Sequence, residues 1–381
     1  MKFMHLSDLH LGKRVNEFSM MEDQTHILNE IIKITEEENV DGVLIAGDVY
    51  DKPVPSAEAV QLFDRFLNQL AERSLYTFII SGNHDSAERL SFGHELMKEK
   101  RVYVAPVFEK IPKPVILEDE WGEIGVYMLP FVKPIQVRHV LSDAENEVEI
   151  HTYHDALQAV TNAMDVDEKK RNVLLSHQFV TGAVRSDSEE ISVGGIDNVD
   201  ASCFDAFDYV ALGHIHGPQH ILRKEVRYSG TPLKYSFSES RHQKSVTIVE
   251  LREKGTVEIR TVPLTPLRDL KELKGTYEEL TSRDFYQDMN CEDYVHITLT
   301  DEEDILDALN KLRVIYPNIM KMDYDNMRTR SRQSIEEAKQ VTEQSPMELF
   351  DELYELQNNQ PMSEEQAVFM KALIGKIWEE E

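Results

Sequence analysis

Two cysteines among 381 residues, Cys203 and Cys291, are too few for a disulfide framework. They stand far apart without ligand spacing, which suits a reducing cytoplasm and says nothing about metals. No apolar run approaches the roughly 20 residues that a membrane-spanning helix needs. The opening residues, Met1-Lys2-Phe3-Met4-His5-Leu6-Ser7-Asp8, enter a strand pattern at once and leave no room for a signal peptide. A cytoplasmic location is therefore expected. Positive charge is also scarce: 41 Lys and Arg against 70 Asp and Glu give a net charge of −29. That balance argues against simple nucleic-acid binding, because displacing counterions from a phosphate backbone takes a basic surface. A nucleic-acid substrate would have to be met through a local basic patch, bound metal or a partner. Internal repeats and low-complexity segments are absent.

What is there is a full-sized core, with 41% hydrophobic and 29% charged residues. Short apolar runs at 43–46, 75–80, 173–175 and 209–212 each end in turn residues. Helical patterns lie between the first two. Residues 20–38 place Ile27, Leu28, Ile31 and Ile32 on one face, and Ser56 caps a segment in which Val60, Phe63, Leu67 and Leu70 recur at helical spacing. Such alternation predicts an α/β fold with helices on both faces of the sheet. Residues 101–135 read as strands broken by Pro and Gly, 153–164 as a helix, and 245–251 with 256–262 as a hairpin. Pro263 and Pro266 close a first domain, 1–265. Residues 266–327 read as a small α+β capping domain, with strands at 294–299 and 319–324 and a helix at 304–314. A polar linker, 328–344, leads to a helical pair at 345–381. Its capping boxes begin at Ser345 and Ser363, and its two apolar stripes fit a partner protein better than their own domain.

Five polar clusters each follow an apolar run: Asp8-Leu9-His10, Gly47-Asp48, Gly82-Asn83-His84-Asp85, Ser176-His177 and Gly213-His214-Ile215-His216. Asp-x-His and His-x-His put two side chains on the same side of an extended segment, because strand side chains alternate. Carboxylate, amide and imidazole together suit divalent cations. One such cluster is commonplace. Five at strand ends would converge where open α/β sheets bind ligands, with enough donors for two ions.

The series resembles the calcineurin-like metallophosphoesterase superfamily, with its D-x-H, G-D, G-N-H-[DE], H and G-H-x-H pattern. The resemblance implies a two-sheet sandwich flanked by helices. One metal would take Asp8, His10 and His216, and the other Asn83, His177 and His214, with Asp48 shared. It also implies hydroxide attack on a phosphodiester, with His84 as a non-ligand acid or transition-state stabiliser held by Asp85. Lys52 stands where the superfamily's protein phosphatases carry a phosphate-clamping Arg, which favours a diester over a monoester.

A closer resemblance, to the SbcD family of nucleases, rests on 6–12, Leu129-Pro130-Phe131, 211–216 and 228–237, and on the tail. It implies Mn²⁺, double-strand exonuclease and single-strand or hairpin endonuclease activity, an SbcC-type coiled-coil ATPase partner, and a homodimer within a heterotetramer. Archaeal relatives often carry His where this chain has Asp51, so any role of that His is not transferred. Arg223, Lys224 and Arg227, or residues 328–332, could touch phosphate, although a solvated surface is the commoner meaning of such stretches. A small-molecule phosphodiesterase of the same superfamily is the alternative, and an assembly subunit tethering an ATPase is the non-enzymatic one.

Overall fold

The computed structural model describes residues 1–142, 149–189 and 198–327, with isolated positions at 329, 354, 362–363, 366–367 and 369–370. The expected linker and helical pair fall almost wholly outside the described residues. One detail of them is visible: Gln366 N donates to Ser363 Oγ at 3.3 Å and Ser363 N to Gln366 Oε1 at 2.9 Å, the second expected capping box. No described helix is long and apolar enough to cross a membrane.

Two six-stranded sheets face each other. The first runs in the order Val257–Pro263, Ser245–Leu251, Lys2–Leu6, Gly42–Ala46, Tyr76–Ile80, Val102–Val104, and its last four strands are parallel. The second runs Gln219–Ile221, Arg223–Tyr228, Tyr209–Gly213, Arg171–His177, Gly122–Met128, Val115–Asp119, with the middle four parallel. Strands such as Gly42–Ala46 are apolar throughout because both faces are buried. Phe3, Leu44, Phe78, Val173, Leu175 and Tyr209 fill the space between the sheets. Helices Met21–Glu37 and Ala57–Glu72 cover the outer face of the first sheet, and Pro134–Leu141 and Tyr153–Ala163 that of the second.

The helix capped by Ser56 buries a stripe shifted from the expected one. Ala59, Leu62, Phe63, Phe66 and Leu70 face inward, while Val60 is 44% exposed. Ala59 is a small residue at the head of the stripe, and its weak apolar signal let Val60 stand in for it.

Beyond Pro263 comes a third sheet of three parallel strands, Leu270–Gly275, Tyr294–Leu299 and Ile319–Tyr324. Its first strand escaped the sequence reading because Leu-Lys-Glu-Leu-Lys-Gly buries only Leu270 and Leu273 on an edge. The helix expected at 304–314 is shorter, Ala308–Arg313, and starts after Asp307, whose φ of 55° is left-handed. Leu280, Ile297, Leu299, Leu312 and Tyr316 give this module its own core. It is fastened to the first sheet's helix layer through Asp23. That buried carboxylate accepts from Arg268 Nη2 at 2.8 Å and from Tyr294 Oη at 2.8 Å.

Candidate metal centre

All five clusters lie at C-terminal strand ends. Asp8 and His10 follow Lys2–Leu6, Asp48 follows Gly42–Ala46, and Asn83 to Asp85 follow Tyr76–Ile80. His177 ends Arg171–His177, and His214 and His216 follow Tyr209–Gly213. Parallel register brings these ends to one rim: Leu6 pairs with Ile45, Ala46 with Ile80, and Gly213 with His177.

The chain then turns sharply to aim the side chains. Asp8, His10, Asp48 and His214 have φ of 53°, 44°, 48° and 100°. Left-handed backbone at non-glycine residues costs on the order of 1–3 kcal/mol each and persists only where the surroundings enforce it. Here they do. Asp8 N donates to Gly47 O at 3.0 Å and His10 N to Asp48 O at 2.9 Å. Gln24, buried on its helix, donates to His10 O at 2.7 Å and accepts from Gly12 N at 3.0 Å, and Tyr235 Oη donates to Leu9 O at 2.7 Å.

The seven expected ligands come together in two groups. In one, His10 Nε2 and His216 Nε2 are 3.1 Å apart, and Asp8, His10 and His216 can each offer one atom within 4.8 Å of the others. In the second, Asn83 Oδ1 lies 3.0 Å from His177 Nε2 and 2.9 Å from His214 Nδ1. Asp48 Oδ2 stands between them, 3.8 Å from His10 Nε2 and 3.3 Å from His177 Nε2. Asp8, His10, Asp48, His177 and His216 are buried, whereas Asn83, His84 and His214 are half-exposed, so the centre opens on that side.

Burial sets the electrostatics. Asp8 is pushed up to about 6 by desolvation, against the pull of His177 and His216. His10 and His214 are held low, chiefly by desolvation. Asp48 and His177 form the exception. Burial opposes charge on both, yet their mutual attraction prevails, keeping Asp48 well below the usual carboxylate range and raising His177 to about 9. A proton held among converging carboxylates and imidazoles is what a bound cation replaces. The donor set therefore fits divalent metal, and its mixture of nitrogen and oxygen suits the transition-metal range.

Glycines make the approach possible. A Cβ on Gly213 would lie 1.8 Å from Ala46 O and 2.7 Å from His177 Nδ1, and one on Gly82 would lie 2.1 Å from Asp48 Oδ1. Gly213→Ala is expected to destabilise the fold by about 3 kcal/mol, the upper range for overpacking, read as a lower midpoint in urea. An unchanged midpoint would mean the two sheets can separate at this rim.

Residues 1–218 match the family model described as calcineurin-like phosphoesterase. The chain belongs to that family. Residues 266–358 match a second model, described as a Type 5 capsule protein repressor C-terminal domain. Two curated relatives both bear the name of the D component of the nuclease SbcCD. The one from Staphylococcus epidermidis is 33% identical over 100% of each chain. The one from Staphylococcus saprophyticus is 34% identical over 84% of each. These put the phosphoesterase in the SbcD branch. Among solved structures, a dimetal phosphatase from Danio rerio is 12% identical, covering 70% of this chain and 99% of its own, with a TM-score of 0.41. Family and donor set together make the phosphoesterase centre a site for divalent metal.

One expectation about a neighbouring residue needs correction. Asp85 does not hold the His84 ring. Its carboxylate accepts from Val49 N at 3.1 Å, Tyr50 N at 2.9 Å and Gly82 N at 3.0 Å, tying together the loops that carry Asp48 and Asn83. The four-residue cluster turns so tightly that Asp85 meets backbone before it can meet imidazole. His84 Nδ1 instead donates to Asp51 O at 3.2 Å. The stretch at Arg223, for which a solvated surface is the favoured meaning, is partly held by the protein itself, while Lys224 is exposed. Arg223 donates to Phe204 O and Phe207 O and Arg227 to Thr247 Oγ1, and Arg223 begins a strand whose other end, Tyr228, reaches the metal rim. Lys52 is exposed, and residues 328 and 330–332 lie outside the described residues.

Sequence reasoning missed a group behind His216. Ser188 Oγ is 2.6 Å from His216 Nδ1, and Glu189 Oε1 accepts from His216 N at 2.6 Å. Fully buried Glu239 pairs with buried Lys244. Desolvation works against its charge, and His216 and Lys244 outweigh it, so Glu239 stays well below the carboxylate range. The one available signal was Lys244, a charge immediately before the apolar strand Ser245–Leu251.

Proposed function

We propose that this chain is the nuclease component of an SbcCD-type complex, hydrolysing DNA phosphodiesters with two divalent cations, Mn²⁺ foremost. The observation that carries the reading is the joining of seven convergent donors to full-length similarity with a protein named for the D component of the nuclease SbcCD. Asp8, His10 and His216 would hold one ion, and Asn83, His177 and His214 the other, with Asp48 shared. When bound, such a pair supplies Lewis-acid charge for the phosphate and acidifies a water at neutral pH.

The chain's own residues do the rest. The buried side of the centre, walled by Asp8, His10 and His177, limits water to the open face. With its Nδ1–H engaged by Asp51 O, the His84 ring leaves Nε2 free of that bond, and the doubly protonated ring would give its Nε2 proton to the departing oxygen. Double-strand 3′–5′ exonuclease and single-strand or hairpin endonuclease activity, in DNA repair, replication and recombination, follow as the proposed activities. So do a homodimeric arrangement within a heterotetramer and residence in the cytoplasm near the nucleoid.

Charge favours a partner. A chain of net charge −29, with Arg223 and Arg227 occupied internally, leaves the gripping of DNA to an SbcC-type coiled-coil ATPase docked on 345–381. Incubating the chain with Mn²⁺ and an end-labelled hairpin is expected to yield opened and shortened products. An intact hairpin beside rapid hydrolysis of bis(p-nitrophenyl) phosphate would instead select the small-molecule phosphodiesterase.

A further inference from the structure

The hydrogen bonds around His216 leave little freedom in where its proton sits. Lys244 Nζ has three protons and three acceptors: Glu239 Oε2, Thr231 Oγ1 at 2.6 Å and His216 O at 2.9 Å. Its ion pair keeps Glu239 a carboxylate, which can only accept. Glu239 Oε1 lies 2.6 Å from Ser188 Oγ, so the single hydroxyl proton of Ser188 points there. Towards His216 Nδ1, Ser188 therefore presents lone pairs, and the proton in that 2.6 Å contact belongs to the ring. The remaining neighbour, Ser186 Oγ at 3.0 Å, has its own acceptor in Glu189 Oε1 at 3.1 Å and does not compete for that direction. In the neutral ring the opposite nitrogen, Nε2, carries the lone pair, and it faces His10 Nε2 among the donors of the first group.

We infer that Glu239 and Ser188 form a positioning relay that fixes neutral His216 with its proton on Nδ1 and presents Nε2 to the cation. The inference rests on the metal reading of the centre and adds to it a specific outer partner for one ligand. Outer partners of metal-bound histidines orient the ring and tune its basicity, and their loss costs about 10–100-fold in metal affinity. Ser188 reaches His216 from a loop rather than from the sheets, so the relay joins that loop to the strand that carries the ligand. A plain structural brace would need only the backbone bond from His216 N to Glu189, which Ser188→Ala leaves in place.

The test uses the full chain. In the metal-free protein, long-range ¹H–¹⁵N spectra of His216 should show the Nδ1–H tautomer, and Ser188→Ala should convert it to a mixture. In Mn²⁺ titrations followed by calorimetry, Ser188→Ala should weaken one of the two binding events about 10–100-fold and leave the other alone, with Ser188→Thr restoring it. Glu239→Leu combined with Lys244→Met removes the acceptor without stranding a buried charge and should reproduce the Ser188→Ala tautomer mixture. Wild-type tautomer and wild-type Mn²⁺ affinity in Ser188→Ala would overturn the relay. If the unaltered chain binds no Mn²⁺, the metal reading fails instead, and the tautomer spectra still decide the hydrogen-bond relay.

Discussion

Asp48→Asn should lower Mn²⁺-dependent phosphodiester hydrolysis by about 10³-fold or more, with both cations loosened together. The scale follows from what is lost when a preorganised charge at a reacting centre is removed. Asp48 faces both groups of donors, 3.3 Å from His177 Nε2 and 3.8 Å from His10 Nε2, and stands nearer the second group than Asp8, whose Oδ1 is 4.0 Å from His177 Nε2. The amide keeps an oxygen for His84 N, which Asp48 Oδ1 accepts at 2.9 Å, so the loop is retained while the charge goes. Metal content after gel filtration is the decisive measurement. A variant that still carries two ions per chain would remove Asp48 from the shared position.

His84→Ala should behave differently: turnover falls about 10²–10⁴-fold, the range for loss of a positioned general acid, and both ions stay. Geometry alone leaves room for the opposite result, because His84 can offer an atom within 4.8 Å of donors on His10 and Asp48. Its ring stands edge-on to that of His10, 4.9 Å between centroids, at the half-exposed side of the centre. The bond from Nδ1 to Asp51 O fixes the ring without a cation. A metal content of one per chain in this variant would make His84 a ligand. Activity on a diester with a very acidic leaving group should suffer less than activity on DNA, since the poorer leaving group needs the proton more.

The convergence of the donors was legible in the chain because they are local in sequence and sit at strand ends that apolar runs announce. Asp8 with His10, and His214 with His216, stood out by spacing after an apolar strand, although left-handed turns at Asp8, His10 and His214, not an extended segment, aim the side chains. The group behind His216 was not legible, since Ser188 lies 51 residues before Glu239 and meets it and Lys244 only in the folded chain. Asp85 misled for the opposite reason: adjacency in sequence suggested a partner for His84, while the turn delivered its carboxylate to three backbone amides. The fold followed the same division. Strands buried on both faces read cleanly, whereas Leu270–Gly275, apolar at two positions only, was invisible beside its charged neighbours.

The distribution of ligands between the sheets has a consequence for the protein as a material. Asp8, His10, Asp48 and Asn83 hang from one sheet, and His177, His214 and His216 from the other. Cations held by these donors would act as a clasp on the open edge of a hinged cover, and spreading the covers would mean first undoing the clasp. Loading with metal and cohesion of the sandwich would then be a single linked equilibrium, since whatever binds the folded form alone also stabilises it. Starvation for the ion would reach beyond chemistry and leave a looser scaffold.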